Sequence, residues 1–402
     1  MEYCKKCVYP SAAVNLSIDE EGICSSCRFY EKYNSITVSE WKKRRAIFED
    51  ILQSKLKNNV SNYDVLIPVS GGKDSYFQTH TIVNEMKLKP LLVTYHGNNY
   101  LPEGDINRDN MRHVFDADHI VWGPSIEVLK KINRLGFKKM GDMNWQNHCG
   151  IFSSPVQIAA KFKIPFIIWG DINWDISGMF EPNDFVEFSA RTRHEHDLRG
   201  FEYYDFIGDQ EDYLTEKDFN WAKYPSDQEI LDSEIRGLFL GNYFKWDANK
   251  HSEDMINMYS WKPSPKPHER TYRNFSNLDD RYENGIHDLL KFYKFGYGRA
   301  SDHASKDIRG GYMSREEGIE MVRKYENVVS SDLYYWLKYV NMKEDEFFKI
   351  SDRFRDPRVW SIKDNYWWKD NVWGEFSKYE KVYLDQKQQD AFLNKQKKIV
   401  KS

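Results

Sequence analysis

The sequence lacks the long apolar runs and the excess of basic charge that mark several large classes of protein. No hydrophobic stretch approaches the roughly 20 residues that span a membrane, and residues 1–7 carry no apolar run typical of a secretory signal. The 402 residues have a formal net charge of −4, so no overall basic field recruits nucleic acid. We therefore expect a cytoplasmic protein without a membrane or nucleic-acid partner.

Also absent is the Gly-x-x-x-x-Gly-Lys-Ser/Thr sequence of P-loop proteins, which argues against ordinary transfer of a γ-phosphoryl group. The composition is otherwise that of a folded chain, with 40% hydrophobic and 30% charged residues. Its length allows roughly two or three domains. We expect an N-terminal unit over 1–34, an α/β domain over 35–260 and a mostly helical region over 261–402.

Only five cysteines occur, and four of them form two Cys-x-x-Cys pairs. In a reducing compartment this pattern favours a metal over disulfides. Two intervening residues let both thiolates of a pair reach one tetrahedral ion, and four thiolates fill its coordination sphere. The sequence thus predicts a structural zinc site at Cys4, Cys7, Cys24 and Cys27; an iron–sulfur cluster and four unliganded buried cysteines are the alternatives.

Short apolar runs alternate with helix-length segments between residues 37 and 169. Strands are predicted at 63–69, 91–95, 119–122 and 165–169, and helices at 37–57, 75–86, 106–115, 125–135 and 155–162. This alternation predicts right-handed βαβ units and a doubly wound parallel sheet. Ligands of such sheets bind beyond the carboxyl ends of the strands, where residues 70–75 and 170–171 would lie.

The first predicted strand runs into a glycine-containing loop and then into a helix. Its glycines let backbone N–H groups face an anion, and the helix N-terminus adds partial positive charge. Its serines can hydrogen-bond phosphate oxygens, its lysine can neutralise them, and its aspartate suits a magnesium contact or loop organisation. A turn without a ligand is the alternative. The predicted nucleotide-binding residues are Ser70, Gly71, Gly72, Lys73, Asp74 and Ser75.

A second group of basic residues follows near the start of the C-terminal region. Lys294, Arg299, Lys306 and Arg309 lie close together in the sequence. Such a cluster suits pyrophosphate, or a substrate phosphate or carboxylate, and a solvated charged face is the alternative. His303 among them could act as an acid or base near neutral pH, or could be a structural hydrogen-bonding group.

The Ser-Gly-Gly-x-Asp-Ser sequence after the first strand resembles the PP-loop of the ATP-pyrophosphatases. More narrowly, the chain resembles the N-acetyl sugar amidotransferases of bacterial surface-polysaccharide and flagellar-sugar pathways. The segments that carry this resemblance are the four-cysteine unit and residues 22–27, 69–75, 90–93, 169–173 and 294–309. Members of that family more often have Glu where Asp171 stands here.

The resemblance implies a fold of the adenine nucleotide alpha hydrolase-like type and an enzyme that uses ATP and Mg²⁺. ATP would adenylate the amide oxygen of an N-acetyl sugar with release of pyrophosphate. Ammonia would then displace AMP and give an acetamidino sugar, as in nonulosonic acid biosynthesis. The residues implied in catalysis are Asp74, Lys73, Asp171, Lys294 and Arg299.

Two other classes of function are compatible with these motifs. A tRNA-thiolating enzyme can combine cysteine pairs with the same loop, but the members that hold an iron–sulfur cluster need further cysteines, and here only Cys149 is left. The acidic net charge also counts against a tRNA partner. The second alternative is a zinc-ribbon protein that binds a nucleotide as a regulatory ligand.

The sequence offers no recognisable glutaminase nucleophile. Cys149 stands in Asn147-His148-Cys149-Gly150, which is not the Gly-x-Cys-x-Gly elbow, and Glu2 occupies the position of an N-terminal nucleophile. Related amidotransferases are accompanied by a histidine-biosynthesis-type glutaminase. We therefore expect a separate glutaminase subunit to supply the ammonia.

This expectation predicts how the purified chain uses nitrogen donors. It should turn over with high ammonium at raised pH, where more free ammonia is present, and not with glutamine. Adding the glutaminase subunit should restore the use of glutamine, measured as glutamate release coupled to AMP formation. Glutamine-dependent turnover by this chain alone, lost in Cys149→Ala, would contradict the prediction.

Overall fold

The computed structural model describes residues 1–171, 180–276, 278 and 283–401, apart from the side chains of residues 195, 196, 400 and 401. Ile172 and Asn173, in one of the segments that carry the resemblance, lie outside this part. The strands are β1 Val65–Pro68, β2 Pro90–Tyr95, β3 Asp118–Trp122, β4 Phe166–Trp169, β5 Arg236–Phe239, β6 Ser361–Lys363, β7 Tyr366–Asp370 and β8 Phe376–Lys381.

The α-helices of the N-terminal unit and the α/β region are α1 Ser25–Asn34, α2 Val38–Leu56, α3 Lys73–His80, α4 Pro102–Val114, α5 Ile126–Met140, α6 Trp145–Phe162, α7 Ala190–Thr192, α8 Asp227–Ser233 and α9 Ala248–Tyr259. Those of the C-terminal region are α10 Glu283–Phe295, α11 Arg299–Gly310, α12 Arg315–Tyr325, α13 Asp332–Val340, α14 Glu344–Asp352 and α15 Gln386–Lys401. A π-helical turn, Thr81–Glu85, continues α3.

Five parallel strands form the central sheet, in the order β3-β2-β1-β4-β5. The predicted parallel sheet is therefore confirmed, and β5 is a strand that the sequence pattern did not reveal. After β3 the chain crosses to the other side of β1 and forms β4. The loops after β1 and β4 thus diverge at a switch point, the position at which open α/β sheets bind ligands.

Both faces of the sheet are buried because successive strand residues point to opposite sides. In β1, Val65 and Ile67 pack with residues of α2, α3, α4 and α9, whereas Leu66 packs with residues of α6 on the other face. Helices therefore cover both faces. Burial on two sides also explains why these strands read as continuous apolar runs.

The C-terminal region is helical, as expected, but it also contains a sheet. Strands β6, β7 and β8 pair antiparallel, and the buried Trp367 of β7 joins a core with α10, α13 and α14. The chain turns at Gly296, because α10 ends just before this residue and its φ is +74°. Among the described residues, no helix combines the length and apolar character needed to cross a bilayer.

A buried tryptophan ties the second half of the chain to the loop after β1. Trp261 is 2% exposed, and its Nε1 donates to the carbonyl oxygen of Gly71 at 2.9 Å. We expect Trp261→Phe to lower the free energy of unfolding by about 1–3 kcal/mol, because it leaves that carbonyl without its donor. Urea unfolding measures the change.

Trp360→Phe is the matched control for this measurement. Trp360 is fully buried, but its Nε1 reaches no hydrogen-bond partner in the part of the chain that the structure describes. Trp360→Phe removes the volume of an indole without removing a hydrogen bond. It should therefore lower the free energy of unfolding by less than Trp261→Phe does. Equal losses in the two variants would show that the bond to Gly71 contributes nothing.

Candidate functional site at the switch point of the sheet

The loop after β1 turns sharply between the strand and α3. Gly71 has φ +82°, and a Cβ there would lie 2.6 Å from the backbone nitrogen of Arg108, so only glycine fits. The N–H of Gly72 donates to Ser70 Oγ at 3.3 Å, and the N–H of Ser70 donates to Ser75 Oγ at 2.9 Å. The loop is therefore stabilised by its own two serines.

Gly72 is the N-cap of α3 and supplies no side-chain cap. The first N–H groups of an α-helix have no carbonyl partner within the helix, and they carry partial positive charge. Lys73, the first residue of α3, is 7% exposed. The end of the loop thus combines unsatisfied donors with a buried ammonium, which suits an anion.

Asp74 faces a histidine that sequence analysis did not single out. Its Oδ2 accepts from Lys73 Nζ at 2.8 Å, and its Oδ1 lies 3.6 Å from His251 Nδ1. His251 belongs to α9 and stacks on Phe77, with ring centroids 3.7 Å apart. Burial alone would raise the pKa of Asp74, but Lys73 and His251 hold it below its ordinary value. The carboxylate is therefore ionised at neutral pH.

The end of β4 is joined to α3 by a side-chain amide. With its oxygen turned toward β4, Gln78 accepts from the N–H of Gly170 at 2.6 Å and donates to the carbonyl of Asp74 at 3.2 Å. The next residue, Asp171, has its Oδ2 3.5 Å from Lys306 Nζ. Asp171 thus lies at the same edge of the sheet as the loop, beside a cation from α11.

Helix α11 brings the C-terminal region to the loop. Asp307 accepts hydrogen bonds from Arg273, Tyr272 and Asn249. Arg273 is 5% exposed. Its guanidinium carbon lies 5.2 Å from the ring centroid of Phe275, and Lys73 Nζ lies 5.7 Å from the same centroid. The loop lysine and this arginine therefore meet around one aromatic ring.

The pKa of His303 reflects the positive charge around it. Its Nδ1 lies 2.6 Å from Thr271 Oγ1. Its pKa is held well below the ordinary value, first by burial and then by the positive charges of Arg273, Arg299, Lys306 and Lys73, in that order. The imidazole is therefore uncharged at neutral pH, and four cations act on one buried position.

Three buried polar atoms at this place reach no hydrogen-bond partner among the described residues. They are Asp74 Oδ1, His251 Nδ1 and Arg273 Nε. Buried polar groups without partners are rare because each costs about 1–3 kcal/mol. Asp74 Oδ1 and His251 Nδ1 face each other at 3.6 Å, beyond hydrogen-bond distance, and Arg273 Nε also lies beside the loop. Polar groups gathered in this way suit a ligand.

The predicted basic cluster is divided between several places. Lys306 lies near the loop, but Arg299 pairs with Asp288 of α10 at 3.0 Å. Lys294 Nζ donates to the carbonyl of Met140 at 2.9 Å, and burial lowers its pKa. Because the turn at Gly296 separates the two helices, Lys294 is not carried to the loop by α11.

The four predicted metal ligands do come together. The sulfur atoms of Cys4, Cys7, Cys24 and Cys27 all lie within 4.8 Å of one another, and all four residues are fully buried. Backbone N–H groups donate to Cys4 Sγ and Cys24 Sγ at 3.3–3.5 Å. Four soft donors at this spacing could hold a zinc ion.

The cysteine unit is attached to α11 and α12. Arg309 Nη2 donates to Cys7 Sγ at 3.7 Å, and Arg315 donates to the carbonyls of Cys4 and Cys7. Hydrogen bonds from Cys24 and Cys27 lower the pKa of Cys7, and Arg309 adds to the effect. Arg309, predicted as part of a cluster that suits an anion, lies instead beside the sulfur of Cys7.

Other features of the chain lie apart from this site. A cavity of about 540 Å³ is lined by Tyr63, Asp118 and Phe162, near the amino ends of the strands. Cys149 is buried in α6 with Sγ 3.5 Å from the carbonyl of Ala222, and burial raises its thiol pKa. The thiol is therefore protonated at neutral pH.

Several residues that the fold brings to the loop carry no signal in the sequence. His251 and Gln78 stand in ordinary helical segments, and Arg273 follows a proline-rich break without a motif. They can be recognised as site residues only because the fold brings all three to the same edge of the sheet.

One comparison with known proteins gives a match. Residues 269–372 match the family described as "LPS biosynthesis protein WbpG-like, C-terminal domain". The match includes Arg273, His303 and Lys306, which lie at the site. No curated protein sequence matches the chain. The C-terminal region is thus similar to a domain found in lipopolysaccharide biosynthesis.

We expect mutations in and beside the cysteine unit to weaken metal binding to different degrees. Cys27→Ser should prevent stoichiometric zinc binding because one of the four donors is lost. Arg309→Met should weaken metal affinity about 10–100-fold, since it removes a partner of a ligand sulfur. Metal analysis and competition with a chromogenic chelator measure both. The exposed Arg323 provides the matched control, Arg323→Met, and iron with a visible charge-transfer band would contradict the assignment.

Proposed function

We propose that the chain is an ATP-dependent amidotransferase that converts the acetamido group of a bacterial surface-glycan sugar into an acetamidino group. The observation that carries this proposal is the group of cations that converges beside the 70–75 loop. Such a group suits a ligand rich in negative charge, and it lies where open α/β sheets bind nucleotides.

In this proposal the loop holds the phosphates of ATP. The N–H groups at the start of α3 bind phosphate oxygens, and Lys73 and Arg273 neutralise the pyrophosphate that leaves. Asp74, ionised and with one oxygen unpartnered, would hold Mg²⁺, which would offset further phosphate charge. Lys306 would reach the same anion when it exchanges its contact with Asp171.

The reaction begins with attack of the amide oxygen on the α-phosphorus of ATP. The bond from phosphorus to the bridging oxygen breaks, and pyrophosphate leaves with the electron pair. Ammonia then adds to the imidate carbon, and the carbon–oxygen bond breaks to release AMP. Adenylation is needed because an amide oxygen is by itself a very poor leaving group. The cations around His303 supply the main stabilisation, since negative charge develops on pyrophosphate in the first step.

The sugar assignment is supported by the family match of residues 269–372. That segment carries three of the residues beside the loop, and the matched family is described as an LPS biosynthesis protein. A tRNA-thiolating enzyme and a nucleotide-regulated binding protein predict different products. The former would modify RNA, and the latter would release neither AMP nor pyrophosphate.

The decisive experiment is mass spectrometry of acetamido sugars, free and nucleotide-linked, after incubation with ATP, Mg²⁺ and ammonium. The expected product is lighter than the substrate by the difference between an oxygen atom and an NH group. AMP and pyrophosphate should form in equal amounts with it. Formation of ADP and phosphate, or AMP release without a sugar product, would contradict the proposal.

The loop assignment predicts large losses from single substitutions. Lys73→Ala, Asp74→Ala and Arg273→Met should each lower AMP release by on the order of 10²- to 10³-fold, because Lys73 and Arg273 would neutralise the departing pyrophosphate and Asp74 would hold the Mg²⁺ that offsets its charge. Lys89→Ala, at the opposite end of the sheet, is the control and should have little effect. Near-normal AMP release in Lys73→Ala or Asp74→Ala would show that the loop is not the nucleotide site.

A further inference from the structure

A buried glutamate lies beyond the end of β2, the strand next to the loop strand. Glu283 begins α10 and is 2% exposed. Its Oε2 accepts from Asn99 Nδ2 at 3.1 Å, Gln146 Nε2 at 3.1 Å and Asn147 Nδ2 at 2.7 Å. Three carboxamides from two separate segments thus orient one carboxyl group. A residue whose only role was to hold these segments together could be apolar.

The glutamate is next to a second cluster of titratable groups. Asp142, 5% exposed, accepts from His287 Nδ1 at 3.0 Å and also from Arg199. Arg199 has φ +53°, a conformation that few non-glycine residues adopt, and its Nη2 lies 2.6 Å from His148 Nε2. Asp142, Arg199, His148 and His287 thus form one connected polar cluster.

Two features connect Glu283 to the proposed nucleotide site. Strands β1 and β2 are adjacent in the sheet, so their following loops begin about 5 Å apart. Asn284, next to Glu283, accepts from Arg299 Nη2 at 3.3 Å, and Arg299 is one of the cations that act on His303. Glu283 therefore lies on that side of the cations around His303 which faces the loop after β2.

The proposed reaction has a chemical need that the loop does not meet. At neutral pH the nitrogen donor in solution is mostly ammonium, which has no free electron pair. It must lose one proton before it can attack the imidate carbon. The acceptor must lie near that carbon and must be able to take a proton near neutral pH.

We infer that Glu283 is the proton acceptor of an ammonium subsite, formed with Asn99, Asn147 and Asp142, that supplies ammonia to the activated sugar. This assignment rests on the proposed function. One N–H bond of ammonium breaks and its proton passes to a Glu283 oxygen. The freed electron pair forms the new C–N bond, the C–O bond to AMP breaks, and the product keeps its charge as an amidinium. Glu283 then returns the proton to solvent.

The electrostatics of the site agree with this role. Burial raises the pKa of Glu283 to about 8; the amide donors oppose this effect, and the charge of Asp142 adds to it. Among the described residues, Tyr95 and Tyr339 also face the carboxyl, and burial raises their own pKa values. Both tyrosines therefore remain neutral near pH 8, where Glu283 gains and loses a proton.

The test compares two nucleophiles with the full-length chain, ATP and the acetamido sugar. Hydroxylamine is uncharged at pH 7 and needs no proton acceptor before it attacks. In Glu283→Gln the ratio of ammonium-dependent to hydroxylamine-dependent kcat/KM should fall by on the order of 10²-fold at pH 7. The deficit with ammonium should shrink as pH rises and free ammonia becomes abundant. Glu283→Asp, which keeps a carboxylate, should recover part of the ratio.

Equal losses with both nucleophiles in Glu283→Gln, or no change in the ratio, would overturn the assignment. If Glu283→Gln does not fold, the ratio and its pH dependence are measured in Glu283→Asp. A ratio and a pH profile equal to those of the wild type in Glu283→Asp would then overturn the assignment. A wild-type chain that forms no amidine or amidoxime with either nucleophile would instead refute the proposed function.

Discussion

The positive charge beside the 70–75 loop is positioned by a buried ion pair between Arg273 and Asp307. Arg273 comes from the irregular segment after the proline-rich break, and Asp307 comes from α11, so the pair fixes these two pieces against each other. Removing one partner of such a pair commonly costs about 3–5 kcal/mol because the other charge stays buried and unpaired. Tyr272 and Asn249 donate to the same carboxylate, which extends the attachment to α9.

Helix α11 is consequently held on two sides. One side bears His303, Lys306 and Asp307 and faces the end of the central sheet. The other bears Asp302 and Arg309, which bond to Tyr9 and Cys7 of the N-terminal unit. A structural metal in the four-cysteine unit would therefore do more than hold residues 1–34 together. It would also fix the orientation of the helix that brings cations to the loop.

The order of the strands explains why groups so distant in sequence meet. The crossover after β3 separates the loops that follow β1 and β4, and Gln78 joins them again by bonding to Gly170. The C-terminal helices pack over this opening. Consequently the site draws on α3, α9 and α11, and no single segment of sequence contains it.

The sequence alone determined the parallel sheet, the four-cysteine unit and the loop, because each depends on a local pattern. Apolar runs between helix-length segments specify buried strands, paired cysteines specify a cluster that could hold a metal, and a Gly-Gly turn between strand and helix predicts an anion site. Only the tertiary structure decided which charges belong to that loop. In the sequence, Lys294 and Arg309 looked equivalent to Lys306. The turn at Gly296 directs Lys294 to Met140, and the orientation of α11 directs Arg309 to Cys7. His251, Arg273 and Glu283 lie in segments without a motif, and they acquire a role through long-range packing, which short-range spacing does not encode.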